Sequence, residues 1–98
     1  MHTITNLRKR FLGNFLVRKR TKAKLTQWDV ARHLGYSTAQ FISNWERGIS
    51  IPPLEAMPRV AELMGVPAKE FIDTYVEYEE ALVELRNEEM KRKFKMAG

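Results

Sequence analysis

Between residues 35 and 67 the sequence is cut at short intervals by residues that end helices: Gly35, Gly48, the pair Pro52-Pro53, Pro58, Gly65 and Pro67. Proline lacks the amide that a helix interior needs, and glycine loses the most conformational freedom on entering one. The segments left between these breaks have room for only a few turns. From Ala68 to about Lys93, by contrast, there is neither Gly nor Pro. Period-two alternation of the kind that marks strands is nearly absent, so the chain is expected to be a bundle of short helices followed by one long one.

The apolar spacing fills in this outline. From about Asn6 to Lys22 the residues Leu7, Phe11, Leu12, Phe15 and Leu16 recur every three or four positions, giving an amphipathic first helix with basic residues on its other face. Gly13 weakens its middle, so residues 1–11 are either a basic N-terminal arm or the start of this helix. Thr26 with Asp29 three residues on is an N-cap pattern. It opens a helix from Gln27 to Leu34 that buries Val30, Ala31 and Leu34 and stops at Gly35. Ser37 with Gln40 repeats the pattern and opens another helix to about Arg47, with Ile42 and Trp45 as its buried pair and Gly48 beyond its end. Pro52-Pro53 can start a further helix, which Pro58 should kink or delay.

The long helix carries two apolar stripes. Phe71, Tyr75, Tyr78, Leu82 and Leu85 step by four and three as a heptad-type seam, while Ile72, Val76, Val83 and Met90 form an adjacent stripe. One stripe can dock on the body and the other on a partner. The seam is assigned to dimerisation, with packing inside one chain as the alternative, because it spans only about two heptads. The fold class expected is all-α, a five-helix domain: residues 12–66 as the body and 67–98 as the amphipathic helix.

Charge is segregated. Residues 1–24 hold eight Lys and Arg and no acid, whereas 25–66 sum to −1 and 67–98 to −2, within a total of +5. A basic segment of this kind is a solvated arm, a targeting or membrane-surface patch, or a phosphate-binding surface. The chain has no cysteine, which excludes disulfides and thiolate zinc sites. His2 and His33 are far apart without neighbouring ligands, so neither metal nor cofactor is expected. No apolar stretch is long enough for a membrane span, and Met1–Arg10 lacks the apolar core of a secretory signal; a cytoplasmic protein is expected. There is no Gly-rich phosphate loop and no tight Ser/His/Asp set, and an enzyme is not expected.

Two short helices about a Gly-containing turn have helix-turn-helix geometry, although αα-hairpins without a nucleic-acid role share it. The residues carry more. The run Leu25-Thr26-Gln27-Trp28-Asp29-Val30-Ala31-Arg32-His33-Leu34-Gly35-Tyr36, followed by Ile42-Ser43-Asn44-Trp45-Glu46-Arg47-Gly48, resembles the helix-turn-helix core of the phage repressor and Cro class, the XRE-like regulators. Pro52 to Val66 is similar to that family's fourth helix.

The resemblance implies that the helix from Thr38 to Arg47 enters the major groove of double-stranded DNA. Its outward residues Thr38, Ala39, Gln40, Ser43 and Asn44 are then the base contacts. Their chemistry suits this independently, since Gln and Asn pair a donor with an acceptor as adenine N6 and N7 require, Ser and Thr bond either base type, and an Ala methyl can meet thymine. Phosphate contacts implied are Gln27, Trp28, Lys22, Lys24, Arg18, Lys19 and Arg47, with Gln27 alternatively bracing Gln40. Glu46 is structural by the same resemblance, paired with Arg18 or Arg20. One extra residue between Gly35 and Ile42 departs from the family pattern and bears most on Thr38 and Ala39.

The function implied is transcriptional repression by a homodimer on an inverted-repeat operator, in a prokaryote or phage. Two other readings remain: an antitoxin whose long helix grips a toxin while the domain autoregulates, and an interaction adaptor that has lost DNA affinity. Trp28, Trp45 and Phe41 would otherwise suggest stacking platforms for single-stranded nucleic acid, but at helical spacing Trp45 is expected in the core.

Overall fold

A computed structural model describes residues 3–97; His2 lies outside the described residues. The described elements are α1 (Ile4–Arg8), a π-helical turn (Lys9–Gly13), α2 (Asn14–Lys22), α3 (Gln27–His33), α4 (Gln40–Arg47), a 3-10 turn (Leu54–Ala56), α5 (Met57–Met64) and α6 (Ala68–Ala97). The π turn joins α1 to α2 without a break, so the described residues form five helical rods. There is no strand among the described residues.

Each short rod starts and stops for a local reason. The Thr3 hydroxyl accepts from the Asn6 amide and caps α1. Around α3 the Thr26 hydroxyl accepts from the Asp29 amide at 3.0 Å, and the Asp29 carboxylate accepts from the Thr26 amide at 2.8 Å, a reciprocal cap. Gly48 and Gly65 close α4 and α5 in the left-handed conformation. Pro58 lies in the first turn of α5 and delays its start, as its missing amide predicts. Ser37 makes no cap for α4. The helix begins later than the Ser37–Gln40 pattern suggests, and the Thr38 hydroxyl takes the Gln40 amide instead.

Gly13 does not interrupt the first rod. It is buried where α2 crosses α4, and a Cβ there would lie 2.4 Å from the Glu46 carbonyl oxygen. Absence of a side chain lets two helix backbones touch.

The main core joins α2 to α5 and the first turn of α6: Phe15, Leu16, Val30, Ala31, Ile42, Trp45, Met57, Val60, Ala61 and Phe71 are all buried. Phe15 and Phe71 meet edge to face with centroids 5.0 Å apart. Burying Ile42 alone stabilises the fold by about 1.5–3 kcal/mol, and α4 lies on the core through this residue and Trp45.

A second cluster corrects the dimerisation assignment. Leu7 and Leu12 pack on Tyr78, Leu82 and Leu85, and Tyr75 is half-buried between the two clusters. The seam Phe71, Tyr75, Tyr78, Leu82, Leu85 is thus spent inside the protomer. Its large aromatic and leucine side chains cover the first rod, which is itself apolar on the facing side. The stripe left facing outward is Ile72, Val76, Val83 and Met90.

Candidate nucleic-acid interface

On α4, Ile42 and Trp45 point inward, and Gln40, Phe41, Ser43, Asn44 and Arg47 lie on the outer side, exposed or half-buried. Gln40 Nε2 donates to Asn44 Oδ1 at 2.9 Å, and an Arg47 guanidinium N–H donates to the same oxygen at 3.0 Å. These three side chains form a connected polar strip one turn apart on the helix. Both lone pairs of Asn44 Oδ1 are taken, so Asn44 can read adenine bidentately only after releasing one of these donors. Gln40 keeps its own Oε1 and one amide hydrogen.

Thr38 and Ala39 precede the helix. The Thr38 hydroxyl is engaged by the Gln40 amide, while Ala39 packs partly on the core and its carbonyl accepts the first helical bond, from Ser43. Phe41, which the periodicity gave no binding role, is 52% exposed beside Gln40 with its ring 5.1 Å from that of Tyr36. It offers an apolar surface next to the polar strip, as a thymine methyl requires. Its place one step out of phase with Ile42 and Trp45 was the available signal.

Beneath the strip lies a buried clamp. Glu46, 6% exposed, accepts from Arg20 Nε at 2.6 Å and from a second Arg20 nitrogen at 3.0 Å. Gln27 Nε2 donates to the same carboxylate at 2.8 Å, and Arg20 also donates to the Leu25 carbonyl at 2.9 Å. One carboxylate therefore ties α2, α3 and α4 together, with the planar fork of Arg20 matched to both oxygens. Arg20 is the partner and Arg18 is not. Gln27 braces Glu46 rather than Gln40.

The far end of α4 is fixed against α1. A Cβ on Gly48 would meet the Thr5 carbonyl oxygen at 2.4 Å, and Arg8 donates to the Ile49 carbonyl at 3.1 Å. The pose of α4 is thereby held by Ile42 and Trp45 in the core, by the clamp at Glu46 and by the close contacts beyond its C-terminal end.

The basic residues divide. Lys22 and Lys24 are exposed at the end of α2 and in the turn that follows, and Trp28 is exposed in the first turn of α3. Arg18 is exposed with its guanidinium 6.0 Å from the Phe15 ring. Lys19 is turned toward α6, where it pairs with Glu70 at 3.3 Å. At the start of α3 the Thr26 amide and hydroxyl, together with the Arg32 charge, hold the Asp29 carboxyl below the usual carboxylate range. Among the described residues no group of His, Asp and Glu is placed to hold a metal ion. No described helix is long and apolar enough to cross a membrane.

This combination, two short helices about a turn with the second held outward on a buried carboxylate clamp, coincides with a match of the helix-turn-helix family over residues 16–71. The chain belongs to that family, of the XRE, Cro and lambda-repressor type. A comparison with curated proteins returned no match. The matched segment of this helix-turn-helix protein runs from α2 into the first turn of α6, so it takes in the clamp, the polar strip and Phe71. The family is one of DNA-binding transcriptional regulators and is not in general enzymatic. The rest of α6 extends beyond the match.

Proposed function

We propose that this helix-turn-helix regulator is a sequence-specific repressor that binds an inverted-repeat operator as a homodimer. The observation that carries the reading is the polar strip Gln40–Asn44–Arg47, presented on a helix whose pose is fixed from below by Arg20–Glu46–Gln27. Rigid backing keeps the base-reading groups in register, and the strip carries the donor and acceptor pairs that adenine and guanine edges require. In this reading α4 lies in the major groove, Gln40, Ser43 and Asn44 contact bases with Phe41 beside them, and Arg47 supplies a guanine or phosphate contact. Thr38 and Ala39 approach from the turn, and Lys22, Lys24, Arg18 and Trp28 meet the phosphates alongside. Half-sites lie about one helical turn, roughly 10 bp, apart. The protein acts in the cytoplasm of a prokaryote or in a phage-infected cell, associated with the nucleoid when bound.

Footprinting on the DNA upstream of its own gene tests this. A protected two-fold symmetric site, lost with Gln40→Ala or Asn44→Ala and weakened steeply by salt, is the result expected. Weak binding that ignores sequence and is unchanged by Gln40→Ala would overturn it.

A further inference from the structure

The outward stripe of α6 has an internal symmetry. Ile72, Val76, Val83, Met90 and Phe94 are 46–72% exposed, far more than the seam beside them. Val76 and Met90 each lie seven residues from Val83, and Ile72 and Phe94 each lie eleven. At about 100° per residue these four positions point within about 20° of Val83, so the stripe is straight and palindromic about that residue.

Charge along α6 is not palindromic but complementary. Residues 68–85 carry six acids and one lysine, and residues 86–97 carry five bases and two acids. A parallel neighbour would set like charge against like. An antiparallel neighbour sets the acid-rich half against the base-rich half, with Glu80 and Glu84 of the two copies the one acid pair left facing near the centre.

From this we infer that α6 pairs antiparallel with α6 of a second copy, about a two-fold axis at Val83. The pairing sets Val83 against itself, Val76 against Met90 and Ile72 against Phe94 of the second copy. Glu79 shares one flank with Arg86 of the second copy, one residue off level, and Asp73 shares the other with its Lys91, two residues off level. Asp73 already accepts from Lys69 at 2.8 Å, so this lysine is a second partner for it. Phe94 of the second copy reaches the rim of an open apolar groove formed by Leu54, Met57, Pro58, Ile72, Tyr75 and Val76. Every described side chain from Arg86 to Met96 is exposed in the single chain, leaving this half of α6 room for a neighbour.

The arrangement also orients the domains. The buried face of α6 is turned about 120° from the stripe by the same helical count, and a two-fold axis between antiparallel helices keeps both bodies on one side of the pair. The inference deepens the dimer reading above and rests on it.

Because the chain has no native cysteine, single-cysteine variants report the register directly. Val83→Cys should form a covalent dimer on mild oxidation. Val76→Cys should not crosslink to itself but should crosslink to Met90→Cys when the two are mixed. Self-crosslinking of Val76→Cys as efficient as that of Val83→Cys would mean a parallel pair and overturn the inference.

Sedimentation equilibrium supplies the energetic test. Val83→Glu sets two carboxylates against each other and should weaken the dimer on the order of a hundredfold. Arg86→Glu should weaken it on the order of tenfold, and adding Glu79→Arg should restore it. Val83, Arg86 and Glu79 are all exposed, so the helical circular dichroism of these variants should match the parent, while the melting of the weakened ones should lose the concentration dependence that dimerisation gives the parent. Binding of Val83→Glu to a half-site duplex should be unchanged while cooperative binding to the full operator is lost. A parent dimer that Val83→Glu leaves intact would refute the α6 pairing but not the dimer. A parent that stays monomeric both free and on the operator would refute both.

Discussion

Gly13→Ala sets two effects of opposite sign against each other. On helix propensity alone the change should stabilise the first rod by about 0.8–1 kcal/mol. The structure says otherwise. The new Cβ would lie 2.4 Å from the Glu46 carbonyl oxygen, 3.0 Å from its carbonyl carbon and 3.1 Å from the Trp45 carbonyl oxygen. All three are backbone atoms of α4, so no side chain can rotate away, and ordinary contact requires α2 and α4 to separate by up to about 1 Å at a close-packed crossing. Overpacking of this kind costs about 1–3 kcal/mol or more, and the rigidity of the neighbours puts it at the upper end. The net expectation is a loss of about 1–2 kcal/mol after the propensity gain, which lowers the melting temperature by about 4–16 °C for a domain of this size. Because α4 carries the polar strip, operator affinity should fall as well. Thermal unfolding followed by circular dichroism measures the first effect, with Asn14→Ala, exposed on the next position of the same helix, as the control for propensity. A melting temperature for Gly13→Ala at or above that of the parent would refute the close crossing of α2 and α4.

Removing Glu46 strands the Arg20 guanidinium, whose side chain is only 17% exposed. Glu46→Ala should therefore cost about 3–5 kcal/mol in urea unfolding, while Arg18→Ala should stay within about 0.5 kcal/mol. The Asp29 carboxyl is held below its ordinary range by the Thr26 cap and Arg32. Its contribution to stability is present above the ordinary aspartate range and is lost as pH falls through that range and below it. Asp29→Asn should accordingly be less stable than the parent at neutral pH, with the difference closing toward pH 2, about two units below the ordinary aspartate value; melting curves across that span check the sign. Lys22→Ala and Lys24→Ala should weaken binding to all duplexes alike and each reduce the salt slope by about 1, measured by gel shift at several salt concentrations. Lys19→Ala should change the slope little, since that lysine is turned to Glu70.

Much of the molecule was legible in local pattern. The breaks at Gly35, Gly48, Pro58 and Gly65, the reciprocal cap of Thr26 and Asp29, and the inward pair Ile42 and Trp45 all depend on residues within a turn or two of each other. Backbone conformation, a missing amide and helical period act at that range. So the sequence by itself determined a run of short helices, their order, and which face of α4 turns outward.

What it left open were choices between near-equivalent candidates that distance in space alone decides. Arg18 and Arg20 are chemically identical and two residues apart, but only Arg20 is on the face of α2 that meets α4, 26 residues further along the chain. Gln27 had two plausible uses until the fold brought Glu46 within 2.8 Å. Gly13 reads as a weak point in a helix, and only the crossing of α2 over α4 makes it a contact. The two stripes of α6 are equally apolar in sequence, and an amphipathic period states that a face must be covered without stating by what. Leu7 and Leu12 on the first rod covered the seam, because that rod and α6 lie side by side in the folded chain. That packing, a contact between opposite ends of the sequence, left Val83 and its flanking residues facing outward.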